Sequence, residues 1–219
     1  MKEMSKAFLI DTSKCIACKA CQVACKQWNG LPAEKTKNVG SHQNPQDLSA
    51  TTWTLVKMKE VESGGKLKWL FFKDQCRHCV EPPCMMSASV DGSIVKDEDT
   101  GAVIYTKKTK EENFDDIMCP YNIPRKDKSG QMFKCTMCLD RVQAGMLPAC
   151  VKACPTGAMN FGDRAEILAL AEERLKAAKA TYKGAKLVDV EEVNVIYLLT
   201  ENEDLYGMIK KPVDMSVFV

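Results

Sequence analysis

A short apolar run, Ala7–Ile10 closed by Asp11, predicts a strand near the start of the chain. Thr51–Val61 alternates well enough for a second strand. Gly64 and Gly65 then supply a turn, and Lys66–Phe72 returns as the hairpin partner. Asp91–Tyr105 has the make-up of another hairpin, with an acidic turn at Asp97, Glu98 and Asp99. From Asp163, a residue type suited to an N-cap, to Tyr182 the apolar residues Ile167, Leu168, Leu170, Ala171, Leu175 and Ala178 recur at helical spacing. The charges lie on the opposite face, so this segment predicts an amphipathic helix whose stripe is core. Residues 186–190 and 193–200 read as strands, followed by an irregular end. Residues 29–50 and 121–130 are polar and aperiodic and predict surface loops, with His42 exposed in the first.

The same pattern argues against a membrane span. The most apolar late segment, Val193–Thr200, is of strand length, and no run approaches the roughly 18 residues of a spanning helix. Met1–Asp11 lacks an apolar signal core and a small-residue cleavage site. The chain is therefore expected either to stay in the cytoplasm or to be exported alongside a signal-bearing partner. With 31 basic and 29 acidic side chains the formal net charge is +2, which gives no electrostatic reason to expect nucleic acid. The 219 residues, 45% of them hydrophobic, suffice to bury the core of one or two domains.

Cysteine changes the picture. All twelve cysteines fall in short runs: Cys15-x2-Cys18-x2-Cys21-x3-Cys25, Cys76-x2-Cys79-x4-Cys84, Cys119-Pro120, and Cys135-x2-Cys138-x11-Cys150-x3-Cys154-Pro155. Two-residue gaps let three successive thiolates converge on one inorganic core, and a fourth cysteine three residues on reaches a neighbouring core, as in two-cluster ferredoxins. Zinc is the competing reading, because paired Cys-x2-Cys units also make tetrahedral zinc sites. A zinc ribbon does not, however, need the third and fourth cysteines of the first run. A disulfide framework is expected of short secreted chains that cannot build a core. Lys14, Lys19 and Lys26 flank the first run and would raise the potential of an anionic cluster, or else simply form a solvated face. His78 lies inside the second run. With cysteines enough for that cluster, it reads as a packing or hydrogen-bonding residue rather than a ligand.

Pairing runs as in two-cluster ferredoxins allows a consistency test. The first and last runs together give Cys15, Cys18, Cys21 with Cys154, and Cys135, Cys138, Cys150 with Cys25. The middle runs give Cys76, Cys79, Cys84 with Cys119. A fourth cluster would need cysteine at positions 88, 109, 112 and 115, which hold Ala88, Thr109, Glu112 and Asp115. All four ligands of one site are missing together and no cysteine is left over. The arithmetic predicts three 4Fe–4S clusters.

These runs, together with Cys76-Arg-His-Cys-Val-Glu-Pro-Pro-Cys84, Cys119-Pro-Tyr121 and Pro148-Ala-Cys-Val-Lys-Ala-Cys-Pro-Thr-Gly-Ala158, resemble the iron–sulfur subunits of the molybdenum/tungsten bis-pterin oxidoreductases. The resemblance covers about residues 5–162. Within it the chain looks most like the small beta subunit of soluble formate dehydrogenases from sulfate-reducing bacteria. It implies an α+β fold of two ferredoxin-like 4Fe–4S units, one inserted in the other, with a C-terminal helix and short strands. Residues 1–65 and 132–180 would form the first unit, 66–131 the inserted one and 181–219 an extension. It also implies an electron-transfer subunit with no catalytic site of its own, and a large Mo/W-pterin partner that handles formate. Cys15, Cys18, Cys21 and Cys154 would face that partner, and the Cys76 cluster would be the exit. Loss of the cluster that lies at the membrane end in most of the family, together with the absence of a C-terminal membrane helix, implies a soluble acceptor such as a multihaem cytochrome c, and periplasmic residence by co-export. The mostly acidic stretch Lys110–Asp116 would either help dock a basic cytochrome or simply form a solvated filler loop. Equivalent subunits of enzymes acting on sulfur, nitrate or arsenic compounds, and a zinc-binding interaction module, are the alternative readings.

Overall fold

The computed structural model describes residues 5–208 and Lys210; the expected irregular end, like Met1–Met4 of the stretch read for an export signal, lies outside the described residues. The strands are β1 (Lys6–Asp11), β2 (Leu55–Ser63), β3 (Lys66–Asp74), β4 (Ile94–Lys96), β5 (Val103–Tyr105), β6 (Arg125–Lys126), β7 (Met132–Phe133), β8 (Met159–Asp163), β9 (Lys186–Val188) and β10 (Val195–Leu199). The helices are α1 (Ala20–Trp28), α2 (Pro83–Met86), α3 (Leu139–Gln143), α4 (Ala149–Lys152), α5 (Arg164–Lys179) and α6 (Glu203–Tyr206). The architecture is mixed α and β.

The largest sheet runs β8-β1-β10-β9, with β1 parallel to β10 and the other neighbours antiparallel. Its central strands are buried on both faces, and the two-residue period sorts their side chains. Ala7, Leu9, Ile196 and Leu198 pack beneath Ile167, Ala171 and Ala178 of α5. Phe8, Ile10, Val195, Tyr197 and Leu199 point the other way, into a layer containing Leu70, Phe72, Met137 and Cys150. The sheet therefore stands between a covering helix and the layer that carries the cysteines. The β2–β3 and β4–β5 hairpins pair as the sequence predicts.

Several boundaries shift by about two residues, the late strands being Lys186–Val188 and Val195–Leu199 within the expected 186–190 and 193–200, and two differ by more. The strand expected from Thr51 begins at Leu55, because the Glu34 carboxylate gathers the hydroxyls of Ser49, Thr51 and Thr52 into a local turn that competes with strand pairing. The long helix stops at Lys179, short of Tyr182, whose N–H closes a turn on Ala178. Among the described residues no helix is long and apolar enough to cross a membrane.

Candidate iron–sulfur centres

Three of the four Cys-x2-Cys turns, those at Cys15, Cys76 and Cys135, repeat one backbone feature. The residue before the second cysteine is left-handed: Ala17 at φ 53°, His78 at 47° and Met137 at 61°. Away from glycine such a conformation costs roughly 1–2 kcal/mol, so something must offset it. The curl turns backbone N–H groups back onto the preceding sulfur. His78 N–H donates to Cys76 Sγ at 3.4 Å and Met137 N–H to Cys135 Sγ at 3.4 Å. Ile123 N–H does the same for Cys119 at 3.5 Å. Inward-pointing N–H groups favour a sulfur that carries negative charge.

Beyond these turns the cysteines gather in space. Cys25, Cys135, Cys138 and Cys150 line one small cavity, along with Trp53 and Lys73. Cys76, Cys79, Cys84 and Cys119 line a second, with Tyr105 and Lys134 on its wall. Cys15 lies within electrostatic reach of Cys154 and Cys18, and Cys21 within reach of Cys15 and Cys18. Cys21 also lies within reach of Cys150, and Cys25 within reach of Cys21, so the first and last runs adjoin. Burial pushes the thiols of Cys21, Cys25 and Cys84 up to about 12, and neighbouring cysteines add to the effect. Burial also raises Cys15, Cys79, Cys119, Cys135 and Cys138. For Cys154 burial acts upward but is outweighed by the N–H of Met159, the Thr156 hydroxyl and further backbone N–H groups, and its thiol is lowered. Ligation at most of these sulfurs must therefore displace a proton, which metal coordination does.

The donor set fits an iron–sulfur cluster. The four cysteines of each cavity offer soft thiolate donors with no carboxylate or imidazole on the wall, a preference shared by zinc and iron–sulfur cores. A tetrahedral zinc site would draw four sulfurs to within about 2.3 Å of one point. In the Cys76 cavity the buried Tyr105 hydroxyl is directed at the Cys84 sulfur and meets no oxygen or nitrogen partner, a donor placed to face cluster sulfur.

His78 is fully buried, and its Nδ1 accepts the Val103 N–H at 3.0 Å, the hydrogen-bonding role expected of it. Lys26 reaches the carbonyls of Thr51 at 2.7 Å and Pro32 at 3.1 Å, and Lys19 that of His42; both tie down the 29–50 loop. Lys14 and His42 are exposed.

The positions of the missing fourth set are filled by polar chemistry. Thr109 is fully buried and its hydroxyl accepts Gln131 Nε2 at 2.7 Å. The Glu112 carboxylate, only 9% exposed, accepts hydrogen bonds from Ser89, Val90 and Ser93. The acidic stretch is thus not a uniform docking face. Glu112 turns inward, because four donors await it there, and only Glu111, Asp115 and Asp116 remain exposed. The buried cations Lys73 and Lys134 were not legible as site residues: Lys73 sits in a strand end whose neighbours on both sides are buried, so alternation carries no signal.

Residues 67–164 match the 4Fe-4S dicluster domain family and residues 6–27 a 4Fe-4S binding domain. A formate dehydrogenase subunit beta from Megalodesulfovibrio gigas is 52% identical over 209 residues, 93% of this chain and 97% of that protein. The chain belongs to the formate dehydrogenase iron–sulfur subunit family. Another member of that family, formate dehydrogenase 2 subunit beta (cytochrome c-553) of Nitratidesulfovibrio vulgaris, is 53% identical over 212 residues, covering 93% of this chain and 97% of its own. The iron-sulfur subunit of the nitrate-inducible formate dehydrogenase of Escherichia coli is 43% identical over 220 residues, 96% of this chain but 75% of that longer protein. As a formate dehydrogenase iron–sulfur subunit, the chain is a non-catalytic electron-transfer component of an oxidoreductase, built on two ferredoxin-type 4Fe-4S domains.

Proposed function

We propose that the chain carries three 4Fe–4S clusters and passes electrons one at a time from a Mo/W-bis-pterin subunit that oxidises formate to a soluble cytochrome c. The ligand sets are Cys15, Cys18, Cys21 and Cys154; Cys25, Cys135, Cys138 and Cys150; and Cys76, Cys79, Cys84 and Cys119. The observation that supports this reading is that two sets of four cysteines each line one cavity, while the remaining four are linked through Cys15 to Cys18, Cys21 and Cys154. The relatives' names support formate as the partner's substrate and a c-type cytochrome as acceptor. On this reading residues 66–131 form a ferredoxin-like unit inserted between 1–65 and 132–180, with 181–219 as an extension. The first set faces the catalytic subunit, the third faces the acceptor, and the complex works in the periplasm after export with its signal-bearing partner.

Formate added to the oxidised complex of this chain and its catalytic subunit tests the proposal. Cluster absorbance should bleach and three reduced-cluster EPR signals should appear. A soluble cytochrome c should then reoxidise them. Bleaching absent with formate but present with dithionite would contradict the assignment to formate.

A further inference from the structure

Two lysine ammonium groups are buried among the cysteines. Lys73, 2% exposed, lines the cavity of Cys25, Cys135, Cys138 and Cys150. Its charge also reaches Cys21 of the first set, so it lies between two groups of sulfurs. Lys134, 4% exposed, lines the cavity of Cys76, Cys79, Cys84 and Cys119, although its backbone leads directly into Cys135 of the second set.

Burying a charge is costly unless an opposite charge accompanies it. Elsewhere in the same layer that charge is supplied by a carboxylate: Asp74 holds Lys57 at 2.7 Å and Arg77 at 3.1 Å. Among the described residues no carboxylate lies within ion-pair distance of Lys73 or Lys134. Lys73 is met by the Gln75 side-chain oxygen. Lys134 donates to the carbonyls of Val103 and, at 3.2 Å, of Cys135, and stands over the Tyr105 ring at 4.8 Å. Neutral oxygens and a ring do not balance a buried ammonium. The groups beside them that become negative on ligation are the cysteine sulfurs.

We infer that Lys73 and Lys134 are the built-in counter-charges of the cluster chain, Lys73 shared by the first and second centres and Lys134 serving the third. The inference rests on the ligand sets proposed above. Each electron transferred adds one negative charge to a centre, with no bond made or broken and no proton required. It comes from formate through the catalytic subunit and leaves to the acceptor. A fixed cation beside the centre favours the state with the added charge and so raises its potential, and a shared cation holds two adjacent potentials up together. Both lysines are positioning residues.

The test is an EPR-monitored redox titration of the complex carrying Lys73→Met or Lys134→Met, with iron and sulfide counted on every sample. In Lys73→Met two centres should become harder to reduce, their reduced-to-oxidised ratio at a fixed potential falling by about tenfold or more, equivalent to about 59 mV for a one-electron couple. The third centre should not move. In Lys134→Met a different single centre should move. Lys73→Gln, which keeps polarity without charge, carries the test if the methionine variant does not assemble, and Lys73→Arg should restore the shifted centres at least in part. Full iron content with unmoved potentials in both neutral variants would overturn the inference while leaving the three clusters in place. A wild-type complex with fewer than three centres would instead overturn the ligand sets beneath it.

Discussion

The Ser93 hydroxyl donates to the Glu112 carboxylate at 2.5 Å, in the region where a fourth set of cysteines would have stood. The same carboxylate takes the N–H and hydroxyl of Ser89 at 3.1 and 2.7 Å and the N–H of Val90 at 2.8 Å. Burial acts to raise its pKa, but hydrogen bonds from Ser93, Ser89 and Val90 outweigh that and hold it at about 2. A depressed carboxylate contributes stability that is complete above its ordinary value of roughly 4.3 and is lost as pH falls from there toward the folded value. Glu112→Gln should destabilise the inserted segment by about 1.5–3 kcal/mol at neutral pH. Thermal bleaching of cluster absorbance should move to lower temperature, with the gap to wild type closing below about pH 4. An unchanged transition would mean that the carboxylate is not holding this region.

Gly101 ends the turn before β5 at φ +73°, and a Cβ there would meet Asn194 Nδ2 at 2.6 Å and Ser5 Cβ at 3.3 Å. Gly101→Ala adds left-handed strain of roughly 1–2 kcal/mol to that clash. The variant should lose at least that much stability in denaturant unfolding, and wild-type stability would show that the turn relaxes freely.

Removing one sulfur should remove one centre. Cys84→Ala is expected to lower iron from about twelve to about eight per chain while two reduced-cluster signals persist. Unchanged iron, or an equal weakening of every signal, would contradict the grouping of Cys84 with Cys76, Cys79 and Cys119.

Only the exposed part of the acidic stretch can steer a partner. Neutralising Glu111, Asp115 and Asp116 together should slow reduction of a basic cytochrome and flatten its salt dependence, since complementary charge chiefly speeds association. A rate unaffected at low salt would remove the stretch from the docking surface.

Much of the site was legible because cluster ligation is local. Two-residue gaps force Cys15 toward Cys18 and Cys76 toward Cys79 whatever the rest of the fold does. The hairpins were legible from Gly64 and Gly65 and from the acidic turn at Asp97. The inward turn of Glu112 was not, because its donors Ser89, Val90 and Ser93 lie about twenty residues earlier in the chain. Nor was the place of β10. Val195–Leu199 announces a buried strand by its unbroken apolar run, but its parallel pairing with β1 spans nearly the whole chain and leaves no periodic trace. Lys73 and Lys134 look like surface residues in any composition count, and only burial beside sulfur without a carboxylate reveals them.

Iron and acid-labile sulfide per chain, measured on anaerobically purified protein with EPR of the reduced form, test the central claim most directly. Three clusters require about twelve of each per chain and three interacting signals. About sixteen would place a fourth cluster on non-cysteine ligands where Thr109 and Glu112 now stand, and zinc without sulfide would contradict electron transfer altogether.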